Sequence, residues 1–402
     1  MKNKIALLMG LFPEQSYNYI IENSKGVIQY AADALQKSIL KGFVQNIDLN
    51  DLYLINLPYV GGYPILFSTP FMPQHMIMNS NKRIGENISF VNVRGYKNIS
   101  RYFNVKKALS RWCELNKDEN KIIVIYALHL PFLSACSSIK HKYKNVKIIQ
   151  IVPDLPQFMS NEGGLLRSFN NKFLTKKYNI VDGWVLLSEQ MTELLPIKNN
   201  YTVVEGIYSD NIESRNYNKN SIFKIFYAGT LAKRYGVMNL VNAIHQLNNE
   251  NVELNICGDG DARNEIEALQ KIDKRIVYRG QLPRVEVLNL LQNSDLLINP
   301  RTPEGNFTKY SFPSKTMEYF ASGVPTLLYK LPGIPHEYYN YCYTLEELGI
   351  DKLSSKIQEI YNTDITLRKQ IGENARKFIF EYKNPKVQVR KILALIQSIY
   401  KI

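Results

Sequence analysis

The feature that most constrains the fold is an alternation that occurs twice: short, strand-like runs rich in apolar residues separated by longer stretches of helical periodicity. In the first half the runs are KIALLMG, SFVNV, KIIVIYAL, VKIIQIV and GWVLLS. Between them, residues 23–41 and 100–116 repeat apolar side chains at helical spacing. Strands buried on both faces with helices between them predict a parallel α/β sheet. A short strand at 202–205 leads into a polar, Asn-rich segment, residues 206–221, with the composition of an interdomain linker. A second alternation begins at Ile225, with strands in KIFYAGTL, VELNICG, KRIVYRG, DLLINP and VPTLLY and helices over 236–248, 263–271 and 283–293. At 402 residues the chain exceeds the size at which one core keeps growing. Two Rossmann-like domains are therefore expected, residues 1–205 and 222–381. Ligands would meet the C-terminal ends of their strands in a crevice between them.

Charge narrows the function classes. The 50 Lys and Arg against 36 Asp and Glu give a net charge of +14, of which residues 1–205 carry +9. Such a field suits nucleic acid, anionic lipid or a phosphorylated substrate, although lysine-rich chains are also basic for no specific reason. No helix-turn-helix, zinc-finger or RNP-like pattern is present, which argues against nucleic acid. The four cysteines, Cys113, Cys136, Cys257 and Cys342, are widely spaced and form no CxxC pair. A zinc site and a disulfide framework are thereby disfavoured, and a reducing, cytoplasmic compartment fits best. MKNKIALLMGLF meets Pro13 and Glu14 where a signal peptide would need small residues, so it reads as a first buried strand. Nothing approaches the roughly 18 apolar residues of a membrane span.

Chemistry concentrates in NPRTPEGNFTKYSFPSKTMEYFASGVPTL, residues 299–327. Pro313 stands where a first-turn proline belongs, Gly323 where a terminating glycine belongs, and Pro325 forbids continuation, so a helix is predicted over 314–322. Ser314, Lys315 and Glu318 share one face of it, opposite the apolar stripe of Met317, Phe320 and Ala321. The free amides and positive dipole end of that helix favour a phosphate, Lys315 adds a full charge, and Glu318 can accept two hydroxyl protons. A ribose diphosphate makes these demands; the plainer alternative is a solvated Lys-Glu pair.

PSKTMEYFASGVPTL resembles the EAMASGxPVV segment of retaining glycosyltransferases of family four, in the subgroup reading FPSKxxEYxASGxPV. The resemblance implies a GT-B fold, covers most of the second half, and rests on layout in the first. It implies that Glu318 holds the ribose hydroxyls of a nucleotide sugar, and that a last helix, from about residue 382, crosses back to the first domain. Tyr310 occupies the position of the family's other glutamate, toward the donor sugar. YAGTLAKRYGV resembles the family's GRLxxxKG segment, with Thr230 at its arginine position and Tyr235 at its lysine position. Lys233 and Arg234 are the substitutes expected to neutralise the leaving diphosphate, beside the backbone of Gly229 and Thr230.

Further along, NICGDGDARNEI holds Gly258 and a DGD triplet. A metal-binding DxD reading is set aside in favour of glycines that admit a ligand to the backbone, with Asp261 capping the next helix. Arg279 and Gly280 end a strand where the family holds the nucleotide base. In the first domain His129 follows a strand. The resemblance gives it a role against the charge developing on the sugar, and a structural role is as well supported. Asp154 lies between two prolines, either meeting the acceptor or capping a turn. Ser24, Lys25 and Gly26 resemble the place where GT-B enzymes bind their acceptor. Residues 94–112 interleave Arg94, Lys97, Arg101, Lys106, Lys107 and Arg111 with Tyr96, Tyr102, Phe103 and Trp112, a pattern suited to an anionic membrane surface or to a helix packed on its own domain.

The expected activity is metal-independent, cofactor-free transfer of a sugar from a nucleoside diphosphate sugar to a hydroxyl of a glycan. The acceptor implied is polyprenyl-diphosphate-linked, at the cytoplasmic membrane face, in capsule, exopolysaccharide or O-antigen assembly. A GT-B nucleotide-sugar epimerase and a catalytically inactive nucleotide-sugar-binding subunit are the alternatives.

Overall fold

The computed structural model describes residues 2–155, 172–210, 212 and 222–400. Most of the predicted linker, at 211 and 213–221, lies outside the described residues. By chain contacts the molecule divides into Met1–Ile207 with Pro385–Ile402, and Tyr208–Asn384.

The strands of the first unit are β1 (Asn3–Met9), β2 (Leu52–Asn56), β3 (Phe71–Met72), β4 (His75–Asn79), β5 (Lys82–Asn87), β6 (Phe90–Val91), β7 (Asn120–Tyr126), β8 (Val146–Val152), β9 (Gly183–Leu186) and β10 (Tyr201–Val203). Eight of them form one sheet in the order β10-β9-β8-β7-β1-β2-β5-β4. Every pairing in it is parallel except β4 with β5. SFVNV, expected in the main sheet, instead contributes β6, which pairs antiparallel with β3 in a separate two-stranded ribbon. The helices are α1 (Tyr17–Asn23), α2 (Tyr30–Asn46), α3 (Lys97–Leu115) and α4 (Leu130–Lys142).

The closing helix, Pro385–Tyr400, belongs to this unit's core. Its Val389, Ile392, Leu395, Ile396 and Ile399 are buried with Ile39 and Phe43 of α2 and with Ile149 and Val185 of the sheet. At roughly 1.5–3 kcal/mol for each fully buried aliphatic side chain, that stripe is a large share of the core.

The second unit carries β11 (Phe223–Thr230), β12 (Val252–Asp259), β13 (Ile276–Tyr278), β14 (Leu296–Asn299), β15 (Thr326–Tyr329) and β16 (Tyr343–Leu345). They form an all-parallel sheet in the order β13-β12-β11-β14-β15-β16. Its helices are α5 (Val237–Gln246), α6 (Arg263–Ile272), α7 (Arg284–Gln292), α8 (Lys315–Ser322), α9 (Ile350–Asn362) and α10 (Ile365–Tyr382). Alternate residues of β11 enter different cores. Ile225 and Tyr227 pack with Val237 and Leu240 of α5 and Ile357 of α9, whereas Phe226 and Ala228 pack with Tyr319 of α8 and Leu297. This period of two, apolar on both faces, is what the unbroken runs in the sequence required. Strand order reverses between β11 and β14, and there a doubly wound sheet opens a crevice at its strand ends.

Candidate active site

α8 positions the central residues. It runs from Lys315 to Ser322 and ends at Gly323 in the left-handed conformation, φ 78°. The terminus is tied by Ser322, whose hydroxyl accepts from the Val324 amide at 3.1 Å. Packing is tighter than the predicted stripe. Thr316, Met317, Tyr319, Phe320, Ala321 and Ser322 are all buried, which leaves Ser314, Lys315 and Glu318 as the less buried positions. Tyr319 anchors the helix to the sheet by accepting from the Ala228 amide at 3.3 Å. The Ser314 side chain makes no cap bond, and among the described residues the Ser314 and Lys315 amides donate to no protein acceptor.

Both residues line a cavity of about 230 Å³ at the point of strand-order reversal, together with Tyr227, Thr230, Asn299 and Arg301 among others. Lys315 folds over the end of β11: a β-carbon on Gly229 would lie 3.2 Å from its Cε. Gly258 sits alongside at φ 136°, where a β-carbon would fall 1.8 Å from the Gly229 carbonyl oxygen, so only glycine allows the two strand ends to approach this closely. Burial lowers the Lys315 ammonium below its ordinary range, and the nearby Glu318 carboxylate partly restores it.

Glu318 is not a free acceptor. Its Oε1 lies 3.1 Å from the Arg284 guanidinium of α7, which also binds Asp210 at 2.5 Å. Oε2 accepts no hydrogen bond among the described residues.

The substitute cations of the glycine turn diverge. Lys233 is exposed and pairs with Glu265 of α6, and it is not among the residues lining the cavity. Arg234 lies against the Tyr235 ring, 5.0 Å from its centroid, and within 6.0 Å of Phe307. Sequence reasoning missed Arg301, which stacks on the same two rings at 5.1 and 4.5 Å. Its Nε is buried without a hydrogen-bond partner. The signal lay in Arg301 and Phe307 flanking the glycine of one loop, but their ring partner Tyr235 lies far away in sequence.

Asp261 caps a different element from the one predicted. Its carboxylate accepts from the Lys233 amide at 2.8 Å, at the head of the Lys233–Tyr235 turn, while α6 starts after Ala262 with no side-chain cap. Asp259 accepts from the Gly260 amide at 2.9 Å. No three His, Cys, Asp or Glu side chains among the described residues are grouped to hold a metal. Arg279 is exposed and donates to Asn255 at 3.0 Å, and the Gly280 carbonyl accepts from the Gly258 amide at 2.8 Å. Tyr310 is half-buried, with the Lys309 ammonium over its ring at 5.6 Å.

In the first unit His129 caps α4 and packs its ring against Phe132 and Tyr59 at 4.4 and 5.5 Å. Burial, with Arg101 and Lys97 nearby, holds it neutral well below the ordinary histidine range. Arg101 and Trp112 of α3 are buried, and Arg111 pairs with Glu86, so the basic-aromatic stretch splits between core and surface. Asp154 follows β8, and desolvation raises its carboxyl to about 6. Lys25 donates to the Pro64 carbonyl at 3.3 Å, next to Gly26. All four cysteines are unpaired.

With the geometry in hand, the molecule's likenesses can be placed. Three solved structures share the fold across nearly the whole chain. A sucrose-phosphate synthase from Thermosynechococcus elongatus is 12% identical, covering 99% of this chain and 100% of that one, with a TM-score of 0.62. A glycosyltransferase from Rickettsia africae is 15% identical over all of both chains, at 0.60. Anabaena Alr3699/HepE, solved with UDP, is 13% identical over 98% of this chain and 100% of that one, at 0.62. The fold is that of the GT-B glycosyltransferases. Residues 209–378, which contain the whole cavity, match the family Glycosyl transferases group 1, so the second unit holds a glycosyltransferase group 1 domain. No curated protein matches the sequence.

Proposed function

We propose that the protein is a retaining glycosyltransferase that moves a sugar from a nucleoside diphosphate sugar to a hydroxyl of a glycan. The observation that carries the reading is the pairing on α8 of two unengaged amides and the Lys315 ammonium, on residues that line a cavity, with Glu318 one turn on. The amides and Lys315 meet the phosphates, and Glu318 Oε2 accepts a ribose hydroxyl while Arg284 holds Oε1. Fold neighbours solved with UDP, and with ADP and acarbose, support nucleotide binding. Charge growing on the departing diphosphate is met by preorganised donors, commonly the largest catalytic term. The departing phosphate takes the acceptor proton, so no protein base is needed.

The first unit supplies the acceptor side, through Lys25, Gly26 and Asp154, for a lipid-linked glycan in surface polysaccharide assembly. The outer face of α3, where Ile99, Phe103 and Lys107 recur at helical spacing and are exposed, supports contact with the cytoplasmic membrane surface. No helix among the described residues is long and apolar enough to cross a membrane.

Turnover of UDP-, GDP- and ADP-sugars with and without glycan acceptors tests the reading. Transfer that needs an acceptor supports it, and acceptor-free conversion of the donor overturns it. Because Asp259 and Asp261 are engaged with backbone amides, activity is expected to survive chelation. Loss with EDTA and recovery with magnesium or manganese would restore the DGD stretch as a metal site.

A further inference from the structure

Two arginines of the second unit, of which Arg301 lines the cavity, gather on one pair of rings with no carboxylate paired to either among the described residues. Arg234 and Arg301 share the rings of Tyr235 and Phe307, whose centroids are 5.8 Å apart. Neither guanidinium has an ion-pair partner among the described residues. Glu318, the carboxylate nearest Lys315 on its own helix, is occupied by Arg284, and Glu304 is exposed and accepts from Thr302 at 3.2 Å. Two like charges on one pair of rings repel at rest, and half-burying Arg301 with its Nε unpaired adds to that cost. A site that tolerates both is arranged for an anion, and the flat face of a guanidinium stacked on aromatic rings leaves its N–H edge free to bind two oxygens at once.

The position matters as much as the charge. Arg301 follows β14 and Lys315 opens α8, so two cations from different elements line the one cavity, together with Thr230 at the end of β11. Two separately anchored cations suit two linked phosphates better than one.

We propose that Arg301, held by Tyr235 and Phe307, is the second diphosphate-binding cation of this site beside Lys315, in the role expected of Lys233. This rests on the glycosyl-donor reading but is narrower: it assigns the charge on the second phosphate to one side chain. Tyr235, which replaces a lysine of the family pattern, then acts as a positioning residue, supplying a surface on which a cation from another loop is held.

Binding of UDP, ADP and GDP, of their monophosphates, and of inorganic pyrophosphate would be measured by calorimetry on the whole chain. Wild type, Arg301→Gln, Arg301→Lys and Lys233→Gln are compared, with unliganded melting points as the check on folding. Arg301→Gln is expected to weaken diphosphate and pyrophosphate binding on the order of ten- to a hundredfold, the value of a charge-assisted hydrogen bond. Monophosphates should change little, Arg301→Lys should recover only part of the loss, and Lys233→Gln should bind like wild type. Equal losses for mono- and diphosphates, or diphosphate binding unchanged in Arg301→Gln, overturns the assignment. Pyrophosphate separates the two levels of the argument. If it binds in an Arg301-dependent way while no nucleotide binds, the anion clamp stands and the nucleotide-sugar reading falls.

Discussion

The two sheets reverse strand order at equivalent points, between β1 and β7 in the first unit and between β11 and β14 in the second, yet treat the resulting crevice in opposite ways. In the first it is plugged. Tyr59 lies so close over Gly10, just after β1, that a β-carbon there would fall 2.6 Å from the ring, and its hydroxyl donates to the Tyr126 carbonyl at the end of β7 at 2.7 Å. Arg101 then lies over Tyr59 and Phe90 and donates to the Pro58 carbonyl, with His129 and Phe132 completing the cluster. In the second, Arg301 is likewise set on two rings, but faces a cavity and donates to no carbonyl. Composition alone does not separate these clusters. Both arginines leave a buried Nε without a partner, so the distinction lies elsewhere: Arg101 is a structural pillar because its guanidinium also donates to a backbone carbonyl, whereas Arg301 donates to none among the described residues and lines a cavity.

The sharpest way to break the comparison is to remove the pillar. Arg101→Ala is expected to destabilise the fold by about 3 kcal/mol, because it leaves a cavity among three rings and an unsatisfied Pro58 carbonyl. Nucleotide affinity should stay as it is. Urea melts and calorimetry on the same variant check both halves, and a stable variant that fails to bind nucleotide would reverse the roles given to the two clusters.

Glu318→Ala is the complement. Loss of a charged acceptor for ribose is expected to lower catalytic efficiency on the order of a hundredfold, about 2.7 kcal/mol of transition-state stabilisation. The melting point should scarcely move, since Arg284 keeps Asp210 as a partner and alanine favours helix. An unaltered donor affinity would return Glu318 to a structural role.

A pH-dependent effect belongs to the plugged side. Burial and neighbouring Arg101 lower the Lys97 ammonium to about 7. Between that value and the ordinary lysine range the unfolded chain binds the extra proton, so folded stability should rise with pH from about 7 to 10. Lys97→Met is expected to flatten that rise, as measured by denaturant midpoints across the interval. An identical slope in the variant would mean that Lys97 stays charged in the fold.

How much of this was legible in the sequence differs between the two halves for physical reasons. β11, β14 and β15 are largely apolar on both faces and β12 on one, and α8 carries its own start and stop in Pro313 and Gly323, so local residues determined both type and extent. The edge strand β4, HMIMN, and its neighbour β5, KRIGEN, do not announce themselves, because Met76 and Met78 are exposed and polar residues intervene. Ser314, Lys315 and Glu318 were readable because helical spacing sets a shared face. Lys233 and Arg234 were not separable, because a single 3₁₀ turn sends adjacent side chains in different directions, one to Glu265 and one to aromatic rings. Arg301 was invisible for the same kind of reason: what fixes it is a ring contributed from another loop.

The closing helix, Pro385–Tyr400, carries a consequence for how the protein is made. The first unit emerges from the ribosome before the second, yet its core lacks the Val389, Ile392 and Ile396 stripe until the second unit has also been synthesised. Domains otherwise complete themselves in the order of synthesis. Here the contiguous second unit, translated later, can finish folding before the first one does. A chain released after Asn384 would hold a complete second unit together with a first unit still exposing α2, a natural target for chaperones and proteases.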